Sequence, residues 1–358
     1  MDNIELINLG NYVKPEIKET YGRKWVTNGR NNEWYQYVID RKHGSPTNES
    51  ILNVYKHLLY GRGIVLKGQT ELYDDLYDVF GKKEIRCTLD DYKTFGMFAI
   101  KLVRAVGGGV ARMKHFPIDK LAMGKDLDGI EIQTVYYSMD WSNTNKYKPE
   151  PLPVFNGKMS SNEMILLYKP YEAGSFWYSY PDYLASLQYA QIEEEIANFS
   201  VNHIKKGLSF GYIINVANGA SLGEEGKKEL ERRITDKLTG SPNAGQFVLS
   251  FNNGTEAEVT VVPLEVNDAH NQWESLREEA KFQILTGHGV TSPLLFGMPS
   301  ATGFGSNADE LDTASKLLQD YQISPKQEIF IDTIKPILEL MGLETDLEFL
   351  PLRDTYGK

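Results

Sequence analysis

Residues 287–306, Gly-His-Gly-Val-Thr-Ser-Pro-Leu-Leu-Phe-Gly-Met-Pro-Ser-Ala-Thr-Gly-Phe-Gly-Ser, constrain this chain more than any other stretch. Five glycines and two prolines within them stop a helix or a strand from continuing, because glycine loses too much backbone entropy and proline lacks the donor. Yet both flanks are strongly helical. Before the segment, Trp273, Leu276, Ala280 and Ile284 recur at steps of three, four and four, the stripe of a helix packed on one side, with Asn267 or Asp268 to cap it and Gly287 to end it. After Ser306 a helix is predicted again, with Asp309 at the reciprocal capping position and Leu311, Ala314, Leu318 and Tyr321 on one face. Ser324-Pro325 is predicted to break it. A last helix carries Phe330, Ile334, Ile337 and Met341, bent at Pro336 and closed by Gly342. A loop this long inside a compact region is functional or disordered.

Upstream the hydrophobic period changes. Residues 1–48 are polar and aromatic, and Trp25, Trp34, Tyr35 and Tyr37 read either as an arm that docks elsewhere or as cover for their own domain. Short helices follow at Ile51, Val54 and Leu58, at Leu72, Leu76 and Phe80, and from a Thr88 and Asp91 capping box through Leu89, Tyr92 and Phe95. Residues 97–106, 110–116, 129–138 and 163–169 read as strands. In the third, Ile130, Ile132, Thr134 and Tyr136 alternate against Glu131, Gln133 and Val135, which predicts one half-buried strand. Gly107-Gly108-Gly109 reads as a hairpin turn; a phosphate-cradling loop would need a helix after it, and Val110 onward is extended. Residues 143–156 read as a surface loop.

The longest helix signal opens at Tyr180-Pro181 and ends near Lys206, with Tyr189, Ile192, Ile196 and Phe199 as its stripe. About 26 residues would reach about 39 Å. Its Glu193-Glu194-Glu195 run reads as a solvated face. Between the two long helices, residues 210–216 read as extended, Ser221 to Glu224 as a capping box, and Leu230, Ile234 and Leu238 as a helix. Residues 246–251 and 257–262 then read as strands of a hairpin turning at Asn252-Asn253-Gly254. An insertion this small has no large core of its own and is expected to lean on neighbouring copies.

No catalytic constellation emerges. His43, His57, His115, His203, His270 and His288 are scattered, Gly-x-x-x-x-Gly-Lys-Ser/Thr does not occur, and Gly303-Phe304-Gly305 is half a dinucleotide fingerprint that follows no strand. His288, between two glycines, is the single candidate for a reactive side chain, with a structural role as the heavier reading. No catalytic residue, metal ligand or cofactor is assigned. The formal net charge of −11 argues against coating nucleic acid by bulk attraction. A single cysteine, Cys87, excludes an intrachain disulfide and suits a reducing compartment. The N-terminus has no leader pattern and no run approaches a membrane span, so a chain made and used in the cytosol, with no membrane partner, is expected.

The order of these features carries a resemblance. Trp-x-x-Leu-Arg-Glu at 273–278, Gly-Val-Thr-Ser-Pro-Leu-Leu-Phe-Gly at 289–297, a Ser/Gly-rich loop, Ser-Asn-Ala-Asp-Glu at 306–310 and a helix ending before Pro325 resemble the portal (head-to-tail connector) proteins of tailed bacteriophages. Asp91-x-x-x-Phe95-Gly96 running into a strand pair resembles a pattern of the same family. The resemblance implies an α+β portal-like fold. Its parts would be an N-terminal arm (1–48), a mixed helix and sheet wing (49–178), stem helix 1 (179–206), a small α/β clip (207–263), stem helix 2 (264–287), a tunnel loop (288–306) and C-terminal wing helices (307–358) with a short or absent crown.

It also implies a ring of about twelve copies at one capsid vertex. Double-stranded DNA would pass through it without sequence preference during packaging and ejection. The expected partners are other copies of the chain, the large terminase subunit, the major capsid protein and scaffold, and a head-tail adaptor, with assembly in the host cytoplasm and residence in the virion. His288, Met298, Ser300, Thr302, Gly303, Phe304, Gly305 and Ser306 would line the channel. Lys227, Lys228, Arg232 and Arg233 would face a docking partner, and Lys281 or Lys316 would supply local attraction. The rival readings are another ring or adaptor protein of a phage-like particle, and a cytosolic enzyme that uses the Gly-rich segment as a lid.

Overall fold

The computed structural model describes residues 15–128, 130–205, 212–217, 223, 225–229, 232, 247–252, 260–263, 269–298 and 308–352. They fall into two compact units, residues 1–190 with 282–358, and residues 191–281. In chain order the elements are β1 (Trp25–Val26), α1 (Glu33–Gly44), α2 (Pro46–Tyr60), β2 (Gly63–Leu66), α3 (Asp74–Val79), α4 (Lys82–Phe95), β3 (Phe98–Arg104), β4 (Val110–Phe116) and β5 (Leu121–Gly124). There follow β6 (Leu127–Asp128), β7 (Glu131–Ile132), β8 (Thr134–Tyr137), β9 (Glu150–Pro153), β10 (Glu163–Tyr168), α5 (Leu187–Lys205), β11 (Tyr212–Ala217), β12 (Phe247–Asn252) and β13 (Thr260–Pro263). The last are α6 (Ala269–Gly287), α7 (Ala308–Leu318), α8 (Ser324–Met341) and β14 (Leu347–Leu350).

The first unit is organised on an antiparallel sheet in the order β10-β3-β4. Successive side chains of a strand point to opposite faces, and here both faces are used. Phe98, Ile100, Leu102, Val110 and Met113 enter a core with Ile51, Tyr55 and Leu59 of α2, Ile85 and Leu89 of α4, and Phe330, Ile334 and Ile337 of α8. Ala99 and Ile165 enter a second core with Trp34, Tyr35 and Val38 of α1, Leu121, Met123 and Val135 of the sheet β1-β5-β8-β9, and Tyr178 and Tyr183. Trp34 and Tyr35 are therefore interior residues of this unit, the covering role weighed for them, not the docking one. The Gly107 to Gly109 turn does join β3 to β4, with Gly108 and Gly109 at φ 90° and 69°, where a side chain is strained.

Four helical expectations are corrected. Helix α2 begins at Pro46, a full turn ahead of Ile51, the first residue of the predicted stripe, because Ser45 caps it: its Oγ accepts from Asn48 N at 3.1 Å. Helix α4 begins at Lys82, and Thr88 sits inside it, donating to Glu84 O at 2.8 Å instead of capping. Helix α5 starts at Leu187 after a 3-10 turn at Leu184–Ser186, so its 19 residues reach about 28 Å, not 39. Ser324-Pro325 does not break the helical path. A π-turn at Gln319–Ile323 joins α7 to α8, and the wider turn leaves room for the ring of Pro325. That turn also shifts the stripe, so Ile323 is buried while Tyr321 is 72% exposed.

Two strand expectations are corrected as well. The strand expected over 129–138 is two, β7 and β8, because the chain changes partners at Gln133, from β6 to β5 and β9. The alternation resets there: Ile132 and Val135 are buried, and Ile130 is 81% exposed. Part of the expected surface loop 143–156 is β9, an edge strand whose Pro151 and Pro153 suit an unpaired side.

In the second unit β11 lies between β12, parallel to it, and β13, antiparallel to it. The predicted hairpin of the last two strands is therefore wrong, since each pairs with β11 instead. The Ser221 to Glu224 capping box and the Asn252-Asn253-Gly254 turn lie largely outside the described residues. Within this unit Phe199 stacks on Trp273 with centroids 4.8 Å apart, so the predicted stripes of both long helices meet. Leu276 departs from its stripe and is 42% exposed.

Asp91, Phe95 and Gly96 acquire distinct tasks. Asp91 Oδ2 lies 2.7 Å from His115 Nε2 and accepts from Ile118 N at 3.3 Å, tying α4 to the end of β4. Phe95 meets Tyr35 edge to face at 5.2 Å. Gly96, at φ 76°, ends α4 where any Cβ would strike the Tyr180 carbonyl. Burial disfavours the His115 imidazolium, but the Asp91 carboxylate outweighs it and raises His115 above its ordinary value. The contribution of His115 protonation to stability is therefore present below about pH 6.5, so long as Asp91, which burial raises above its ordinary value, stays ionised, and it is lost as pH rises through the raised His115 value. The His115 ring resonances should titrate above 6.5 by NMR and fall toward it in Asp91→Asn; an unshifted midpoint in the wild type contradicts the pairing.

Candidate functional site at the end of the second long helix

Helix α6 ends at Gly287, and residues 288–298 are built into the first unit instead of standing free. His288 is 1% exposed, so it does not line a channel. Its ring stacks on Tyr183, centroids 4.2 Å apart and 16° between planes, and its Nε2 lies 2.8 Å from Asn48 Oδ1. Asn48 Nδ2 donates to Arg41 O at 3.1 Å, which marks Oδ1 as the acceptor. His288 is then the Nε2–H tautomer, and the buried Nδ1, which has no partner among the described residues, is a lone pair and not a stranded proton. Burial, then the neighbouring Lys93 ammonium, push His288 well below its ordinary pKa. It is a neutral wedge, which answers its candidacy as a reactive group.

The rest of this stretch is held from three sides. The Tyr55 hydroxyl donates to His288 O at 2.7 Å, and Thr291 Oγ1 donates to Ala314 O at 2.7 Å. Pro293–Phe296 make a 3-10 turn whose Phe296 is buried 5.4 Å from the Tyr55 ring. Met298 is half-buried against the same core. Of the predicted channel residues, Ser300, Thr302, Gly303, Phe304, Gly305 and Ser306 lie outside the described residues. The nine positions 299–307 leave from Met298 and return at Ala308, the start of α7.

Beneath this anchor sits an ion cluster that the sequence does not announce. Lys93 of α4, 2% exposed, places Nζ at 2.8 and 3.0 Å from the two oxygens of Asp182 and 4.2 Å from the centre of the Tyr55 ring. Lys326 of α8 reaches Asp182 Oδ2 at 3.0 Å. Tyr183, next in sequence, donates to Thr94 O at 2.8 Å. Burial brings Lys93 down to about 8 against the pull of Asp182. The same burial would raise Asp182, but Lys93 and Lys326 outweigh it and hold it near 2. One carboxylate thus joins α4, the lead-in to α5 and the first turn of α8 beside the ring of His288.

The predicted docking residues are placed only in part. Lys227 and Lys228 lie on a helical turn at 225–229, Lys228 and Arg232 are exposed, and Arg232 is 4.0 Å from Glu229. Arg233 lies outside the described residues. Lys281 is 3.9 Å from Glu278 and Lys316 2.7 Å from Asp312, so each proposed attractor is already beside a carboxylate. Among the described residues no group of three His, Cys, Asp or Glu side chains could hold a metal, and no helix is long and apolar enough to cross a membrane.

No protein-family model matches the chain. It is 22% identical over 301 residues to the probable portal protein of Haemophilus phage HP1, covering 83% of this chain and 82% of that one. Its fold matches a chain in the virion of a native gene transfer agent particle, with a TM-score of 0.59 and 14% identity over 90% of this chain and 84% of that one. A chain of the native particle's neck, computed with C12 symmetry, matches at TM-score 0.56 and 14% identity over 89% of this chain and 85% of that one. An HK97-family phage portal protein from Corynebacterium diphtheriae matches at 0.51 and 12% identity, over 87% of this chain and 94% of that one. The chain therefore has the mixed helix and sheet fold of the phage portal proteins and is related in sequence, over most of its length, to a protein named as one.

Proposed function

We propose that this chain is a portal subunit, one of a ring at a capsid vertex through which double-stranded DNA is packaged and ejected. The observation that carries the reading is the match, over 89% of the chain, to a component of a twelvefold-symmetric particle neck. The same reading assigns the clip side chains Lys227, Lys228, Arg232 and Arg233 to docking of the large terminase subunit or a head-tail adaptor, and names the major capsid protein and scaffold as further partners.

The channel contact falls to residues 299–307. They contain Gly, Ser, Thr, Asn, Ala, Pro and Phe304 but no charged side chain, and each copy carries a formal −11. A wall of that average composition repels phosphates, and neutral groups at the constriction give the weak, sequence-independent contact that sliding requires. Residues 288–298, wedged by His288 and Phe296, serve as the fixed base from which the segment extends. Deletion of Gly303 to Gly305, or Phe304→Ala, is expected to leave rings intact by electron microscopy while packaged DNA, measured as nuclease-protected genome, falls by about tenfold, the effect of losing about 1.4 kcal/mol of contact. Full packaging by both variants removes the assignment of the loop, and absence of rings in the unmodified protein removes the portal reading.

A further inference from the structure

The sheet β10-β3-β4 is closed on one face but only partly covered on the other. Ala99 and Ile165 are buried on that second face, Ile165 directly across from Lys101, whereas Lys101 and Val103 are half-buried and the β4 edge presents Arg112 and Lys114 to solvent. Lys101 and Lys114 are cross-strand partners, and like charges placed opposite one another destabilise a sheet. Glu163 answers only Lys101, at 2.6 Å. Arg112 and Lys114 are exposed with no ionic partner among the described residues, and the hairpin tip carries a fully exposed Val106.

On the far side of the same sheet lies α3. Its Leu76 is buried in the core with Val110 and Met113 of β4, and its outward Asp74, Asp75 and Asp78, with Glu71 three residues ahead of the helix, are all exposed and none is ion-paired among the described residues. Lys82, the nearest following cation, is drawn over the Tyr77 ring at 5.0 Å. A basic face and an acidic face on opposite sides of one sheet cannot meet within a copy. Between copies they can, head to tail, and a repeated head-to-tail contact forms a ring when the rotation from copy to copy closes.

We propose that the open face of the β3–β4 hairpin, through Arg112 and Lys114, receives the acidic α3 face of a second copy of this chain. The proposal rests on the ring reading above and adds where neighbouring copies touch. It is tested with two charge-reversed full-length variants, Arg112→Glu/Lys114→Glu and Asp74→Lys/Asp75→Lys/Asp78→Lys, each followed by sedimentation and negative-stain imaging. Each alone should need about tenfold more protein to assemble than the wild type, because like charges then face one another. Their equimolar mixture should assemble at wild-type concentrations, since alternation of the two restores opposite charges at every contact of an even-numbered ring. Wild-type assembly should also shift to higher protein concentration as salt is raised.

Normal assembly of either variant alone overturns the proposal, as does a salt-insensitive wild type. So does a mixture that stays apart although both variants melt like the wild type. If the Arg112→Glu/Lys114→Glu rings form normally but bind duplex DNA less, the face is a phosphate site and the proposal falls. If the wild type forms no ring at all, it is the portal reading that has failed.

Discussion

Asp182→Asn is expected to destabilise the protein by about 2–3 kcal/mol in chemical unfolding, somewhat less than the 3–5 kcal/mol typical of breaking a fully buried pair. The discount follows from exposure: 38% of the Asp182 side chain remains accessible, so water partly screens it. The cost comes from Lys93, which at 2% exposure has no such relief. Removing the carboxylate leaves its ammonium and that of Lys326, both gathered on one group at 2.8 to 3.0 Å, to face each other unneutralised. The reverse substitution is asymmetric. Lys93→Met should be nearly neutral, because Asp182 keeps Lys326 and the methionine fills the apolar sleeve beside Tyr55. Adding Lys93→Met to Asp182→Asn should recover most of the loss, a coupling that a double-mutant cycle measures directly. Additive losses would show that the ion pair is incidental.

The pH dependence has a sign at each end. Asp182 is held near 2, below its ordinary 3.8, so its contribution is present above about pH 3.8 and is lost as pH falls toward 2. The gap between wild type and Asp182→Asn should therefore shrink in acid. Lys93, lowered to about 8 from 10.5, sheds its buried charge earlier in the folded state than in the unfolded one. Its contribution to stability should accordingly rise with pH between those values.

Much of the architecture was legible because it is periodic. The stripe of α8, that of α6 apart from Leu276, the β3–β4 hairpin and the glycine closures after α4 and α8 are local signals, and Phe330, Ile334 and Ile337 are buried as their spacing requires. What failed was set by partners distant in sequence. Nothing within residues 246–262 indicates that β12 and β13 would each choose β11, so two neighbouring strand patterns read as a hairpin. Nothing at Gln133 announces a change of partner, and Pro325 reads as a stop unless the π-turn before it is foreseen.

The site divides the same way. Its glycine-laced composition and its place after a long helix could be read directly, but its extent could not, because residues 288–298 are fixed by contacts with Asn48 and Tyr55 more than 230 positions away. A histidine between two glycines looks accessible in one dimension. The ion cluster had no sequence signal at all, since Lys93 stands in the last turn of α4 where a solvated cation is ordinary.

Gly96→Ala is expected to cost about 3 kcal/mol or more, and the reason joins the end of the Asp91-x-x-x-Phe95-Gly96 pattern to the site. At φ 76° an alanine already bears about 1 kcal/mol of backbone strain. The larger part is steric: its Cβ would strike the Tyr180 carbonyl oxygen and carbon and the Pro181 nitrogen, which are backbone atoms with no rotamer to yield. Relief requires moving the segment that carries Asp182 to its two lysines and Tyr183 to the face of His288, so the damage should reach the anchored stretch 288–298 and appear there as faster amide exchange. Gly108→Ala is the control. Gly108 has the same handedness, φ 90°, with nothing within 4 Å of the added atom, and should lose only the strain. Equal losses at the two positions would show that close approach at Tyr180 is not what demands glycine; a gap of about 2 kcal/mol, with exchange accelerated at 288–298 in Gly96→Ala alone, ties the end of α4 to the base of the loop.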